Sequence, residues 1–535
     1  MTENYEQYLD WVIYQIYPKS FLDTNGDGVG DIQGVIQKLD YIKSLGVNAI
    51  WLCPIYESPQ QDNGYDISNY YTLQKEYGST LDFEELTKKA HALGIKIIMD
   101  LVANHTSNEH PWFQEAKSKK KHPYHQYYYF AKQPLNDWQS IVGGSAWAYN
   151  EGTKEYYLHS FAPAQPDLNW NNPKVRKEFC DIIDFWVEKG ADGFLCDMLD
   201  FIAKDFDKNL MFGGKRLYSY VGQLFGRKKT QNLFTVGECQ ADEQSIHLLC
   251  GEGKKQLKCA FQFEHLHLGR KDKFTPTPSN LKQLKNILKK WQTFSQEKGF
   301  LYTLLTDNHD QPWYNSRMGN DTNLRYESAT LLATMVYALR GVPFIYQGQE
   351  IGSANSVYPS IENFDDVETL HYFQANQNKY SKKTLMQKIN YGSRDNPRRP
   401  MAWDKGVGFG FTSAKKPWLA FATRSKEINV KSEEKKDKSI LRYYRDLFKL
   451  RKEKVALRRG TFEDKSVDEN SFIFERTFDQ EKLVIVCNFE KQNRINGLNE
   501  NVVCLLSNYP QKNLPVNRLY QPYEAVIYHK KSDKI

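Results

Sequence analysis

Apolar positions along the chain gather into short continuous runs separated by stretches with helical spacing. Residues 12–17, 47–52 and 95–102 are β-rich and uninterrupted rather than alternating, as strands covered on both faces are. Between them, 34–45 and 81–93 repeat apolar residues at helical intervals. The order β-α-β-α-β predicts parallel strands joined by crossover helices. The alternation then stops. From about His105 to Asn172 the chain is rich in Tyr, Trp, Gly and polar residues, too long for a loop, and predicts an inserted subdomain. It resumes with a helix over 173–188, opened by Pro173. Strands at 192–197, 233–238, 257–263, 300–306 and 342–346 follow, with helices at 242–249, 280–296 and 323–339. A helix over 439–452 closes the ring after an excursion through 390–403. Eight strands of this kind predict an α/β fold, a (β/α)8 TIM barrel. Beyond about Arg458, β-type runs at 472–478, 482–488, 502–506 and 525–528 predict an antiparallel C-terminal domain. The expected division is barrel over 1–104 and 173–457, insert over 105–172, and a C-terminal β-sandwich over 458–535.

Three of the strands end on acids: DGFLCD at Asp197, FTVGE at Glu238 and LLTDNHD at Asp310. Burying a carboxylate is costly unless it has a partner or a task. Acids at three separated strand ends predict one site at the C-terminal face of the barrel.

Composition narrows the function. The formal net charge of +7 is spread along 535 residues, and the lysine runs at 119–121 and 435–436 are short. That excludes a nucleic-acid surface. Aromatic residues make up 14%, enough to spare some for stacking on planar or sugar-like ligands. The eight cysteines form no CxxC pair and several lie in apolar strands, which fits free thiols in a reducing compartment. The N-terminus is polar and no run reaches transmembrane length, so a cytoplasmic protein without a membrane partner is expected.

Two further motifs carry polar chemistry. Asp23, Asn25, Asp27, Val29 and Asp31 place oxygens at alternate positions with glycine at the bends, the arrangement of a calcium loop with Val29 offering its carbonyl. A metal-free Asx turn has the same spacing. DLVANH ends the third strand, where Asn104 and His105 would meet ligand hydroxyls with Asp100 orienting them.

Together DLVANH, DGFLCD, TVGE and TDNHD, in this order and at these strand ends, resemble the four signature regions of the alpha-amylase superfamily of glycoside hydrolases. QPDLNW in the insert is similar to a fifth region found in the oligo-1,6-glucosidase branch. YQIYPKSF, SPQQDNGYD, GGSAWAYN and SRDNPRRPMAWD extend the likeness over about residues 8 to 460. The resemblance implies a retaining, exo-acting α-glucosidase acting on small α-linked oligosaccharides. Asp197 would be the nucleophile, Glu238 the acid and then the base, and Asp310 the holder of sugar hydroxyls. The first two carboxyls would lie about 5–5.5 Å apart. It also implies that His105 and His309 contact the sugar, that Tyr65 stacks beneath it, and that Asp62 and Arg398 pair to close the pocket. Asp23, Asn25, Asp27, Val29 and Asp31 would hold a structural Ca2+.

Two other branches share these motifs. YPKSF and the SPQ before DNGYD resemble trehalose-6-phosphate hydrolases, where Lys271 or Arg270 would meet the phosphate. Glucosyl-transferring or isomerising relatives use the same ester. The main departure is Leu195, where the family has Arg two residues before the nucleophile. Residues two apart in a strand share a face, so Leu195 leaves the acids without a cation. A raised Asp197 pKa and weakened or pH-shifted catalysis are expected, and a sugar-binding protein with little catalysis is the reading of another class. Met198, Trp313, Gln349 and the Cys239-Gln240 pair depart on the leaving-group side.

Overall fold

The computed structural model describes residues 5–239, 242–251, 256–489, 491–495, 501–509 and 515–531. Gln240 lies outside them. Eight parallel strands form one sheet: β1 (Ile13–Ile16), β2 (Ala49–Leu52), β3 (Lys96–Val102), β4 (Gly193–Asp197), β5 (Phe234–Gly237), β6 (Cys259–Ala260), β7 (Thr303–Leu304) and β8 (Val342–Tyr346). β1 pairs with both β2 and β8, and a bridge from Ala260 to Tyr302 joins β6 to the β7 segment, closing the cylinder. All five residues of β4 are buried, as the uninterrupted apolar runs require. Gly193 opens β4 because a Cβ there would lie 2.2 Å from the Phe234 carbonyl oxygen. Trp51, Phe261 and Phe344 fill the barrel with ring centroids 5.1–6.1 Å apart.

The crossover helices follow the sequence pattern with one break and one addition, the helix Leu217–Phe225 within what the sequence leaves as a long connection. The first, expected over 34–45, is two short helices, α1 (Ile32–Gln37) and α2 (Leu39–Ser44), because Lys38 leaves helical geometry at ψ 8°. Ser79 and Asp82 form a reciprocal capping box at α3 (Thr80–Ala92). Asn172 caps α4 (Pro173–Glu188), with proline in its first turn. Next come α5 (Leu217–Phe225), α6 (Glu243–Cys250), α7 (Leu281–Lys298), α8 (Arg325–Tyr337) and, last, α9 (Ile440–Glu453).

The 105–172 segment carries a three-stranded antiparallel sheet and a small core of Trp138, Ala146, Trp147 and Leu158. Between β8 and α9 run the helices Val367–Asn376, Lys382–Gly392 and Asp395–Arg398. The C-terminal strands Thr461–Asp464, Ser471–Phe478, Glu481–Asn488, Glu524–Lys530 and Val502–Ser507 make one antiparallel sheet in that spatial order, packed on α8. A two-stranded ribbon, Asn493–Ile495 with Arg518–Tyr520, stands where a second sandwich layer was expected. No helix of the described residues is long and apolar enough to cross a membrane.

Candidate active site

The three strand-end acids converge at the C-terminal mouth of the barrel. Asp197 is the last residue of β4 and pairs in register with Val102 of β3. Cys196 pairs with Gly237 of β5, so Glu238 continues the chain beside Asp197. Its N–H donates to the Cys196 carbonyl at 2.9 Å, and its own carbonyl accepts from Leu199 at 2.7 Å. Directly after Asp197 the chain turns through Met198, a non-glycine residue at φ 39°. Such a conformation costs about 1–3 kcal/mol and gathers at functional sites. Asp310 comes from the loop after β7, where its N–H bonds the Asn308 side chain at 3.0 Å.

The acids sit in opposite electrostatic settings. Burial, then the negative charges of Asp310, Asp100 and Asp200, holds Glu238 well above the usual carboxylate range. Burial and then Glu238, Asp100 and Asp310 do the same to Asp197. No cation figures among the leading influences on either, the state Leu195 leads one to expect. Leu195 is 1% exposed and faces Asp100 across the β3–β4 pair. Asp310 behaves differently. Burial raises its pKa, but His309, Arg398 and Arg394 more than offset this and hold it below the usual range. Burial pushes His309 itself down to about 4, so at neutral pH the two guanidiniums carry the effect. Arg398 donates through Nη2 to Asp310 Oδ1 at 2.7 Å and through Nε to the His309 carbonyl at 3.0 Å.

This corrects one sequence expectation. Arg398 serves Asp310, and the partner of Asp62 is Arg394, at 3.2 Å. Arg394 also reaches Asp366 at 2.7 Å and Asp310 at 3.4 Å. Both arginines belong to SRDNPRRP, and their order along the short Asp395–Arg398 turn decides which side each faces.

The remaining expected residues gather around the same acids. The Tyr65 ring stacks on His309, centroids 5.3 Å apart and 7° from parallel. Its hydroxyl lies 2.7 Å from His309 Nε2 and 3.1 Å from Asp100 Oδ2. Gln15 holds His309 Nδ1 at 2.9 Å. His105 is 2% exposed, with Nε2 3.0 Å from the Tyr65 carbonyl and 3.1 Å from Gln165 Nε2. Gln165 donates to Asp62 at 3.1 Å, linking insert to barrel. Behind them lies an ion pair the sequence did not announce. Lys204 and Asp167, both with fully buried side chains, meet at 2.8 Å, and Asn104 bonds to each. Gln165 and Asp167 stand within QPDLNW, a stretch legible as a motif whose roles were not.

The predicted calcium residues lie elsewhere, in the loop ahead of α1. Asp23 accepts N–H bonds from Asn25, Gly26 and Gly28. Asp31 accepts from Thr24 and caps α1 through Gly34. Asn25 and Asp27 accept from the N–H groups two residues on. Among the described residues no three His, Cys, Asp or Glu side chains converge as metal ligands.

A sequence model described as the alpha-amylase catalytic domain matches residues 15–460. The chain belongs to the alpha-amylase family. It is a glycoside hydrolase by that membership. An oligo-1,6-glucosidase of Parageobacillus thermoglucosidasius is 40% identical, with 97% of this chain and 98% of that protein covered. The crystal structure of a mutant trehalose-6-phosphate hydrolase of Bacillus licheniformis superposes with a TM-score of 0.93 at 36% identity, covering 98% of this chain and 99% of the other. An isomaltulose synthase of Klebsiella sp. LX3 also gives 0.93, at 34% identity and the same coverage.

Leu195, beside Asp100 on the inner face of the barrel, has a measurable effect. Leu195→Arg is expected to lower the Asp197 pKa, because a cation in its place favours the carboxylate. The acid limb of the kcat/KM profile should move down by at most about one pH unit, because the new cation also favours the ionised form of the neighbouring Asp100, whose charge offsets part of its pull on Asp197. An unmoved limb would remove Leu195 from the account.

Proposed function

We propose that the protein is a retaining, exo-acting α-glucosidase that releases terminal glucose from short α-linked oligosaccharides. The observation that carries this is the meeting of three strand-end acids at one mouth of the barrel, with Asp310 alone held anionic by arginines. Burial and neighbouring acids raise the Glu238 carboxyl, the direction a general acid needs, and it follows β5 beside Asp197 at the end of the adjoining strand. Asp197 attacks the anomeric carbon while Glu238 protonates the leaving oxygen. Glu238, now ionised, draws the proton from the water that hydrolyses the ester. Asp310, anchored by Arg398 and kept anionic, bonds sugar hydroxyls and favours positive charge on the ring. Asp62, Arg394 and Gln165 close the far end of the pocket, which supports cleavage from a chain end.

One observation favours a second reading, hydrolysis of a phosphorylated disaccharide. Arg270 donates to Gln311, the residue after Asp310, at 2.8 Å, and its buried Nη1 has no hydrogen-bond partner. Burial and the neighbouring Arg317 push it down to about 10, so an incoming phosphate would relieve both. The deciding experiment offers isomaltose, maltose, sucrose, trehalose and trehalose-6-phosphate, with Asp197→Asn as the blank. Glucose from isomaltose or maltose supports the first reading. Release from the phosphorylated sugar alone supports the second. Rearranged disaccharide marks an isomerase, and binding without turnover marks a sugar-binding protein.

We also propose the loop at 23–31 as a Ca2+ site, on the hardness of its four side-chain oxygens and the Val29 carbonyl. Those side chains would have to hold the ion beyond their present backbone bonds. Calcium added after chelation should then raise Tm by several degrees, since a ligand bound only by the folded state stabilises it. An unchanged Tm would leave a metal-free turn. A cytoplasmic location is supported by the eight free cysteines, six of them buried.

A further inference from the structure

Asp100 is a buried acid that the reaction above does not use. It lies on the inner face of β3, 1% exposed. Its Oδ2 accepts two hydrogen bonds, from Trp51 Nε1 at 3.3 Å and the Tyr65 hydroxyl at 3.1 Å. Its Oδ1 is buried and has no hydrogen-bond partner. An ionised carboxylate in that position would leave charge on a buried oxygen that no protein side chain meets, which is costly. A neutral carboxylic acid suits the same geometry better: Oδ2 is the carbonyl that accepts twice, and Oδ1 carries a hydrogen, unpartnered but without net charge, so the smaller desolvation cost falls on it.

The surroundings point the same way. Across the β3–β4 register Asp100 faces Leu195, which can neither donate nor carry charge. The titratable groups around Asp100 include Cys53 beyond β2, Tyr56 and Tyr65 in the following loop, Cys196 and Asp197 on β4, Glu238 after β5, Asp310, and His309, which packs on Trp51 and Tyr65. Every one but His309 becomes an anion when it loses its proton, and burial pushes His309 down to about 4, so it brings no positive charge at neutral pH. The guanidiniums of Arg394 and Arg398 are bonded to Asp62, Asp310 and Asp366 instead. Burial pushes the Asp100 carboxyl well above its usual range, and the bonds from Tyr65 and Trp51 and the nearby Leu101 N–H offset only part of this.

We propose that Asp100 holds its proton in the working enzyme and acts as a positioning residue, its neutrality sparing Asp197 a negative charge at a place where Leu195 supplies no cation. With Asp100 neutral, Asp197 ionises against one negative charge fewer. This rests on the glucosidase reading for its consequence but not for its test.

The test is infrared difference spectroscopy at neutral pH, wild type minus Asp100→Asn. A protonated-carboxyl C=O band in the difference supports the proposal, and its absence overturns it. Leu195→Arg retains Asp100 and is the second variant. It should abolish the same band by ionising Asp100, whereas a band that persists there overturns the link to Leu195. The acid limb of kcat/KM supplies a readout that a purely structural role would not move. It should stay within about 0.3 pH unit in Asp100→Asn, because one neutral group replaces another. A shift to lower pH by a full unit or more would show that Asp100 is an anion in the wild type. The spectra need no turnover, so a protein inactive on every sugar can still pass or fail this test.

Discussion

Asp197→Asn is expected to lower kcat by at least about 10^4-fold, the scale seen when a covalent nucleophile is removed, with the fold and sugar binding intact. The amide has nearly the same shape and removes a carboxyl that burial and its neighbours already disfavour as an anion, so Tm should not fall. The role is separable from that of Glu238 by which face of the sugar an added nucleophile reaches. With an activated aryl α-glucoside and azide, Asp197→Gly opens a space on the nucleophile's side, and azide entering there gives the inverted β-glucosyl azide. Glu238→Ala leaves the ester to form on Asp197, so azide replaces it with net retention and gives the α-product. Exchanged products would exchange the two assignments, and no azide product from either variant would argue against a glycosyl ester.

Arg394→Met carries the largest expected cost in stability. One guanidinium, 13% exposed, serves Asp62, Asp310, Asp366 and Glu368 at 2.7–3.5 Å. Removing it leaves Asp366, whose side chain is fully buried, short of its main partner. Breaking a buried pair from one side costs about 3–5 kcal/mol. The pH dependence follows from the sign of the shifts. Asp366 and Asp310 are both held below the usual range, burial opposing and the arginines prevailing. Their contribution is present above the unfolded pKa and fades as pH falls through the folded one. The Tm deficit of Arg394→Met should therefore be widest near neutrality and narrow below about pH 4, where unfolded Asp side chains take up protons. A deficit independent of pH would mean lost packing rather than lost charge. KM should rise as well, because Asp62 and Asp310 lose their common anchor.

The barrel was legible because its strands are buried on both faces and its helices are amphipathic. Each of the eight expected strands contains the observed one, and the expected helix over 173–188 matches α4 residue for residue. The helices Val367–Asn376 and Lys382–Gly392 were not legible. The first buries Thr369 alone, so no apolar stripe marks it. The three acids announced themselves by ending apolar runs. Arg394 and Arg398 did not sort themselves, since two guanidiniums four positions apart look alike until the backbone turns them toward different carboxylates. Lys204 was invisible for a related reason: it sits in an irregular stretch, and its partner Asp167 is in another segment of the chain.

The closure of β1 on β8 has a consequence for how the chain must be made. Ile13 is synthesised first, and its partner Phe344 follows roughly 330 residues later. At about 5–20 residues per second, the apolar edge of β1 waits some tens of seconds for its neighbour. Asp167 meets a shorter version of the same delay, buried without countercharge until Lys204 leaves the ribosome. Nascent chains should thus engage chaperones until β8 emerges, and slowing translation upstream of residue 342 should lower the soluble yield more than slowing it afterwards.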